Sequence, residues 1–408
     1  MANITKRTGK SGDAAYLIRV SCGYDASGRQ IVKRTTWKPE SGLTQKQIEK
    51  ELNRFAVDFE NKIMNGNYTD TSNIKLSDFC TQYLEIADNI LAPTTKELYK
   101  RIIDEIIKPS LGYMKLKDIK PIHVQRFIQM LGGEGIRADK KGDKLCPATV
   151  KRYLTVLKSI MGQAYKLQLI TQNPTETAKL YIPEVIEPDI EIFTKEETAQ
   201  MLSCLDAEPL MFQAFIHLAI VTGCRRGELT ALKWENINLQ AGIILIKQSN
   251  YKLRGEGTKS KAPKTAKSIR EIAIPPYLID LLKRYHSAQK NEKFMLGTQW
   301  IGDDWLFTQW NGAAMHPHTP TRQFTKFLEK NNIPHRKLHA LRHTSATLLL
   351  SSGTNIKTVA SRLGHTQLGT TNRYVHALRD ADEAAAQTFE NIVNPQSIEA
   401  KDEKIGHA

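Results

Sequence analysis

Cysteine is scarce in this 408-residue chain: Cys22, Cys80, Cys146, Cys204 and Cys224 are scattered, odd in number and unpaired by any short spacing. That argues against a disulfide scaffold or a structural zinc site and fits a reducing compartment. No run of apolar residues is long enough to cross a membrane, and the N-terminal MANITKRTGKSGD lacks the apolar core of a secretory signal. There is no GxxxxGK[ST] phosphate loop, so nucleotide hydrolysis is unsupported. No GxGxxG motif follows a strand pattern, which argues against a dinucleotide cofactor. Acidic residues are in deficit, 43 Asp plus Glu against 58 Lys plus Arg, for a formal net charge of +15. A soluble, basic, cytoplasmic protein remains, with a polyanion as its expected partner. Apolar residues make up 40%, enough for packed cores, and the length suggests about three domains.

The charge is uneven. Residues 1–38 hold eight Lys/Arg and two Asp/Glu. Tyr16, Ile18, Val20 and Cys22 alternate with Leu17, Arg19 and Ser21, the pattern of a strand, and a turn-like Asp25-Ala26-Ser27-Gly28 precedes a second run from Gln30 to Trp37. A helix is predicted next: Thr44 and Gln47 form a capping box, Ile48, Leu52, Phe55 and Phe59 share a face, and Gly66 closes it. Two readings fit this module. Its charges are simply solvated, or the sheet lies against nucleic acid with Arg19, Lys33, Arg34 and Lys38 as contacts.

A polar joint, Asn67 to Asn73, leads to a helical region over 74–178. Its apolar sets are Leu76/Phe79/Tyr83/Leu84/Ile86, Leu98/Ile102/Ile103/Ile106/Ile107 and Ile122/Phe127/Ile128/Leu131. A fourth helix runs from Pro147, a residue suited to a first helical turn, to Leu167. Four helices with few strand signals make a bundle; Lys96, Lys151 and Arg152 are either its solvated face or a phosphate-facing one. The acidic, proline-bearing YIPEVIEPDIE (181–191) reads as part of a linker over 179–193. Beyond it, 194–394 mixes helices and strands: Thr194 and Glu197 cap a helix, and Gly242–Gln248 pairs with Ser268–Ile274 around a Gly/Lys-rich loop. Residues 395–408 form a polar tail expected to be disordered. The fold class expected is multidomain α+β: a small N-terminal β-sheet plus helix, a helical bundle and a mixed α/β domain.

His335, His339 and His343 are four apart, as metal ligands on one helical face would be. The zincin glutamate is missing, however, and Arg336, Lys337 and Arg342 make the surroundings too positive for a dication, so neither metal nor cofactor is expected. Cationic residues recur instead at intervals before one late tyrosine. They lie in Thr222-Gly223-Cys224-Arg225-Arg226-Gly227-Glu228, in Pro263-Lys264-Thr265-Ala266-Lys267, in Leu338-His339-Ala340-Leu341-Arg342-His343, and in Leu363-Gly364-His365, followed by Asn372-Arg373-Tyr374. Planar guanidinium groups suit the nonbridging oxygens of a phosphodiester, and a tyrosine hydroxyl can attack its phosphorus.

Taken in order, Arg…Lys…His-x-x-Arg…Gly-His…Tyr resembles the tyrosine recombinases, or phage integrase family. The resemblance covers about 220–378 through five separate motifs. Region 74–178 resembles the family's core-type DNA-binding domain, and 1–66 the arm-type domain of lambda-like and conjugative-transposon integrases. It implies that Tyr374 is the nucleophile, forming a 3′-phosphotyrosine link. Arg225, Arg342, His339 and His365 would bind the phosphate, and Lys264 would protonate the leaving 5′-oxygen. It further implies double-stranded DNA with core and arm sites as partner, a homotetramer on that DNA, an accessory DNA-bending or excision factor, and no need of metal or ATP. Asp382 to Val393 would pack on its own domain or on a neighbouring subunit. Glu228 reads as a brace for the Arg225 loop; Arg226, Arg270 and His343 have no assigned role. The alternatives are a type IB topoisomerase, which relaxes DNA by similar chemistry, and a catalytically silent architectural protein.

Overall fold

The computed structural model describes residues 2–8, 14–24, 28–40, 42–64 (backbone only at Lys62), 73–134, 144–176, 180–186, 189–261, 268–365, 367, 369, 371 and 374. The chain divides into two units, Met1–Ile186 and Glu187–Ala408.

In the first unit, β1 (Asn3–Thr8), β2 (Ala14–Tyr24) and β3 (Gln30–Trp37) form an antiparallel sheet in the order β1-β2-β3. Strand alternation sends Tyr16, Ile18 and Val20 of β2 to one face, where they pack on Leu52, Ala56 and Phe59 of α1 (Gln45–Met64). Two expectations are corrected here. Cys22 is exposed, and Phe55 is 37% exposed while Ala56 is buried. The helix start follows the expected cap in part: Gln47 Oε1 accepts the Thr44 backbone N–H at 2.9 Å and its hydroxyl at 2.8 Å. Strand β1, too short and polar to show a period, is absent from the sequence reading.

The helical region has its own core, built from α2 (Leu76–Ile86), α3 (Pro93–Ile102), α4 (Lys108–Leu111), α5 (Pro121–Leu131) and α6 (Pro147–Lys166). A single wide turn, Ile103–Ile107, joins α3 to α4 and keeps Ile103 and Ile107 inward. Proline stands in the first turn of α3, α5 and α6, where its missing N–H costs nothing. Ile86 and Ile122, expected on the apolar faces, are exposed. Tyr181 is pinned to Gln125 of α5 by hydrogen bonds of 2.9 and 3.2 Å.

The second unit opens with α7 (Lys195–Cys204), whose capping box is complete: Thr194 Oγ1 accepts the Glu197 N–H and Glu197 accepts that of Thr194. Its core surrounds α8 (Leu210–Thr222), which is apolar on every side and therefore buried. After the four-residue α9 (Arg226–Leu229), strands β4 (Ile237–Asn238), β5 (Ile243–Ile246) and β8 (Arg270–Ala273) form a sheet in the order β4-β5-β8. The expected β5–β8 pairing is present. Between those strands lies a separate hairpin, β6 (Ser249–Leu253) with β7 (Gly257–Lys261), where a plain loop was expected. Helices α10 (Pro276–Leu296), α11 (Thr319–Lys330), α12 (Ala340–Ser351) and α13 (Ile356–Leu363) complete the unit. Phe193, just before α7, donates its backbone N–H to Thr344 Oγ1 on α12 at 2.9 Å, and Ile190 packs on the cluster of Ala346, Val359, Leu363 and Tyr374.

Candidate active site

Two left-handed glycines place the motifs. Helix α8 ends at Gly223, with φ +61°, and a Cβ there would stand 2.5 Å from Leu363 Cδ2. The chain can therefore turn out of α8 and present Arg225 at the start of α9 only with glycine at that position. Helix α13 ends in a Schellman motif: the Gly364 N–H donates to Ser361 O and the His365 N–H to Ala360 O, both at 2.9 Å, with Gly364 at φ +68°. This aims His365 back toward the tyrosine.

Arg342, on the first turn of α12, is 3% exposed and joins the two turns. Its guanidinium donates to Gly223 O at 2.7 Å and to Leu363 O at 2.9 Å. Burial, then the charge of Arg225, lowers its pKa to about 10, so it stays charged at neutral pH. Two of its five N–H donors are thus committed to holding the two turns together.

Arg225 is held from the other side. Glu228 Oε1 accepts from Arg225 Nη1 at 3.0 Å, and Glu228 Oε2 accepts the Arg225 backbone N–H at 3.0 Å. Glu228 also accepts from Arg270 Nη2 at 2.8 Å, while Arg270 Nε donates to Arg362 O at 2.7 Å. Burial pushes the Glu228 carboxyl upward, but the charges and hydrogen bonds of Arg270 and Arg225 outweigh it and hold it below the usual glutamate value. The Arg225 side chain remains 47% exposed, so its guanidinium is fixed yet open to a ligand.

Tyr374 is 3% exposed, and its hydroxyl lies 3.0 Å from His343 Nδ1. The His365 ring is stacked over it at 6.2 Å, and the His339 ring meets His343 edge-on at 4.7 Å. His365 Nδ1 lies 2.9 Å from Thr371 Oγ1. Burial, followed by Arg342, Arg225 and Arg270, lowers the His365 pKa to about 4; burial and the charges of Arg342, Arg225 and Arg226 also lower that of His339. Both rings are therefore neutral near pH 7 and act as hydrogen-bonding groups rather than as charges.

The structure thus gathers Arg225, His339, Arg342, His365 and Tyr374. Lys264 lies outside the described residues, between the end of β7 and the start of β8; Asp382–Val393 and the tail lie outside them too. The three histidines spaced by four do not share a helix, because α12 begins only at Ala340 and leaves His335 in the preceding segment. Among the described residues no three His, Cys, Asp or Glu are grouped as metal ligands, and no helix is long and apolar enough to cross a membrane. Two residues without an assigned role acquire partners: His343 on Tyr374, and Arg270 between Glu228 and α13. Arg270 had a visible signal, since it stands in phase with the inward Ile272 of its strand and with Ile274 just beyond it.

The N-terminal basic residues separate by register. Arg19 pairs with Arg34 and Val20 with Lys33. Cross-strand partners share a face, so Arg19 and Arg34 lie on the side away from α1 and Lys33 on the side of Val20. Lys38 follows β3, Lys96 forms an ion pair with Asp88, and Lys151 and Arg152 are exposed on α6.

Comparison with known proteins comes at two levels. Residues 191–380 match the phage integrase family, and residues 75–132 match the phage integrase N-terminal SAM-like domain. The "Tyrosine recombinase XerC-like" protein of Caldanaerobacter subterraneus is 31% identical over 94% of this chain and 97% of its own length. The ICEBs1 integrase of Bacillus subtilis is 27% identical over 60% of this chain and 66% of its own. Among solved structures, the Tn1549 transposon integrase in complex with a circular intermediate DNA covers 78% of this chain and all of that one at 20% identity, TM-score 0.65. A lambda integrase dimer bound to a core site covers 74% of this chain and 95% of that one at 18% identity, TM-score 0.52. These likenesses establish the fold.

Proposed function

The chain belongs to the phage integrase family of tyrosine recombinases, DNA strand-transferring enzymes, and on that premise we propose that it is the site-specific integrase of a mobile element. It integrates and excises that element through a 3′-phosphotyrosine intermediate at Tyr374. The observation that carries this reading is the clustering of Arg225, Arg342, His339 and His365, each within electrostatic reach of others in the set, with one buried tyrosine that His365 stacks on and Arg342 senses.

In-line attack on a phosphodiester builds negative charge on the two nonbridging oxygens. The exposed guanidinium of Arg225 and the positive charge of Arg342 stabilise it, and neutral His339 and His365 add hydrogen bonds. A tyrosine hydroxyl ordinarily titrates near 10 and must shed its proton to attack; His343 Nδ1, at 3.0 Å, receives it. The phosphorus–O5′ bond breaks as the tyrosyl–phosphorus bond forms, and Lys264 gives the leaving 5′-oxygen its proton. The covalent link conserves the bond energy, so a 5′-hydroxyl can reverse the step without ATP.

In this reading 1–66 bind arm sites, 74–178 bind core sites, 179–193 link them to the catalytic residues 194–394, and 395–408 are a tail. The working assembly is a tetramer on DNA in the cytoplasm, helped in excision by a DNA-bending factor. The three-stranded sheet with Arg7, Arg19 and Arg34 on its helix-free face favours an integrase over a topoisomerase. The test is a nicked attachment-site duplex that loses its 5′-hydroxyl fragment on cleavage. The wild-type chain should accumulate a covalent adduct mapping to Tyr374, and Tyr374→Phe should bind the duplex and trap none. An adduct on any other residue, or relaxation of supercoils without site preference, would overturn the assignment.

A further inference from the structure

Beside the catalytic cluster lies a second group of cations that none of the steps above uses. Arg226 follows Arg225 directly but bonds to a different element: Arg226 Nη1 donates to Thr321 Oγ1 on α11 at 2.8 Å. The segment leading into α11 carries His316 and His318, their rings 5.5 Å apart. Arg322 lies on the first turn of α11 and Lys252 on β6. Among the described residues, Arg226, Lys252 and Arg322 have no carboxylate partner. Lys233, Lys247, Lys259, Arg270, Lys330 and Arg336 of the same unit each have one.

His316 supplies the second observation. Its Nδ1 accepts the backbone N–H of His318 at 3.2 Å. Burial, then Lys252, His318, Arg322 and Arg226, lowers its proton affinity and leaves it neutral. A neutral imidazole whose Nδ1 is an acceptor carries its one proton on Nε2. That Nε2 is buried and has no acceptor. An unmet buried donor is costly, of order 1–3 kcal/mol, and here it lies among cations that have no carboxylate partner among the described residues.

We propose that His316 Nε2, Arg226, Arg322, His318 and Lys252 form a binding site for a DNA backbone phosphate other than the scissile one. A phosphate oxygen would accept the His316 Nε2–H and neutralise the surrounding cations. Because Arg226 adjoins Arg225, this contact fixes where the strand lies relative to the reacting phosphorus. The site rests on the recombinase reading, which identifies DNA as the polyanion.

The test is a scan of attachment-site duplexes in which single phosphates are replaced by neutral methylphosphonates, read by equilibrium binding and by adduct formation with the full chain. With the wild-type protein, one substitution away from the scissile position should weaken binding about tenfold, the scale of a hydrogen bond to a charged group. With His316→Ala that same substitution should cost nothing further, while His316→Gln, which keeps an N–H donor, should retain part of the sensitivity. Arg322→Ala and Lys252→Ala, both at exposed positions, should each lower the slope of log K against log salt by about one or less. Wild-type sensitivities that persist unchanged in His316→Ala, with unchanged salt slopes in the other two variants, overturn the site. Failure of the wild-type chain to form any adduct would count against the recombinase reading instead. An adduct together with an unchanged scan removes only this phosphate site.

Discussion

His343 Nδ1 and the Tyr374 hydroxyl lie 3.0 Å apart across 31 residues of sequence, and that contact ties the late tyrosine to α12, which carries Arg342 and starts just after His339. His343→Ala should therefore slow covalent attachment about 10²-fold or more, the usual worth of a positioned base, while leaving DNA affinity near that of the wild type. Single-turnover adduct formation with a second variant separates chemistry from mere packing: His343→Asn keeps a hydrogen-bonding partner for the hydroxyl but is a poor base, and should be about as slow as His343→Ala. A wild-type rate in His343→Asn would assign the proton acceptor elsewhere.

Lys264→Ala should cleave ordinary DNA about 10²–10⁴-fold more slowly, because an alkoxide leaves poorly without a proton. A 5′-bridging sulfur leaves as thiolate, with a thiol pKa of about 8.5, and needs no such help. Rates on the sulfur substrate should therefore recover in Lys264→Ala but not in Arg342→Ala or His343→Ala. Absence of recovery would move the general acid to Lys267 or His339.

Glu228→Gln should lower folding stability at neutral pH by about 3 kcal/mol, since it strips the charge partner from a guanidinium that is 6% exposed. The sign with pH follows from the direction of the shift. The folded carboxyl is held below its ordinary value, so its stabilisation is complete above about 4.3 and fades as pH falls through the lower folded value. Urea unfolding of both proteins should show a wide gap at pH 7 that closes in acid. A constant gap would mean that the charge of Glu228 is not what stabilises the Arg225 turn.

A fragment beginning near residue 74 should still form the Tyr374 adduct on a core-site duplex. Among the described residues, the three-stranded sheet and α1 bury their own apolar side chains and contribute none to the other cores. Loss of distal-site binding, with a reduced salt dependence, should be the main change. A folded fragment unable to cleave would show that the N-terminal module takes part in the chemistry.

The parts of the site legible in the sequence are those fixed by local rules. Gly223 and Gly364 stand where helices must end left-handed, and each presents a motif residue within two positions. Thr194 and Glu197 announce a helix, and the apolar run of α8 announces its burial. The hairpin β6–β7 was illegible because Ser249, Asn250, Lys252, Lys259 and Ser260 show no apolar alternation; cross-strand hydrogen bonds and the Asn250 side chain, which donates to Thr230 O at 2.7 Å, hold it. His343 was illegible for a different reason. Its partner lies a whole helix and two turns away, and only the folded path through Gly364 brings the tyrosine back to it.

The hydrogen bond from Phe193 N to Thr344 Oγ1 fixes how the chain enters the second unit. Thr344 follows His343 on α12, and Ile190, three residues before Phe193, rests on the cluster of Ala346, Val359, Leu363 and Tyr374. Residues 189–193 are thus moored in two places at once, to the main core through the Phe193 ring and to the tyrosine cluster through Ile190.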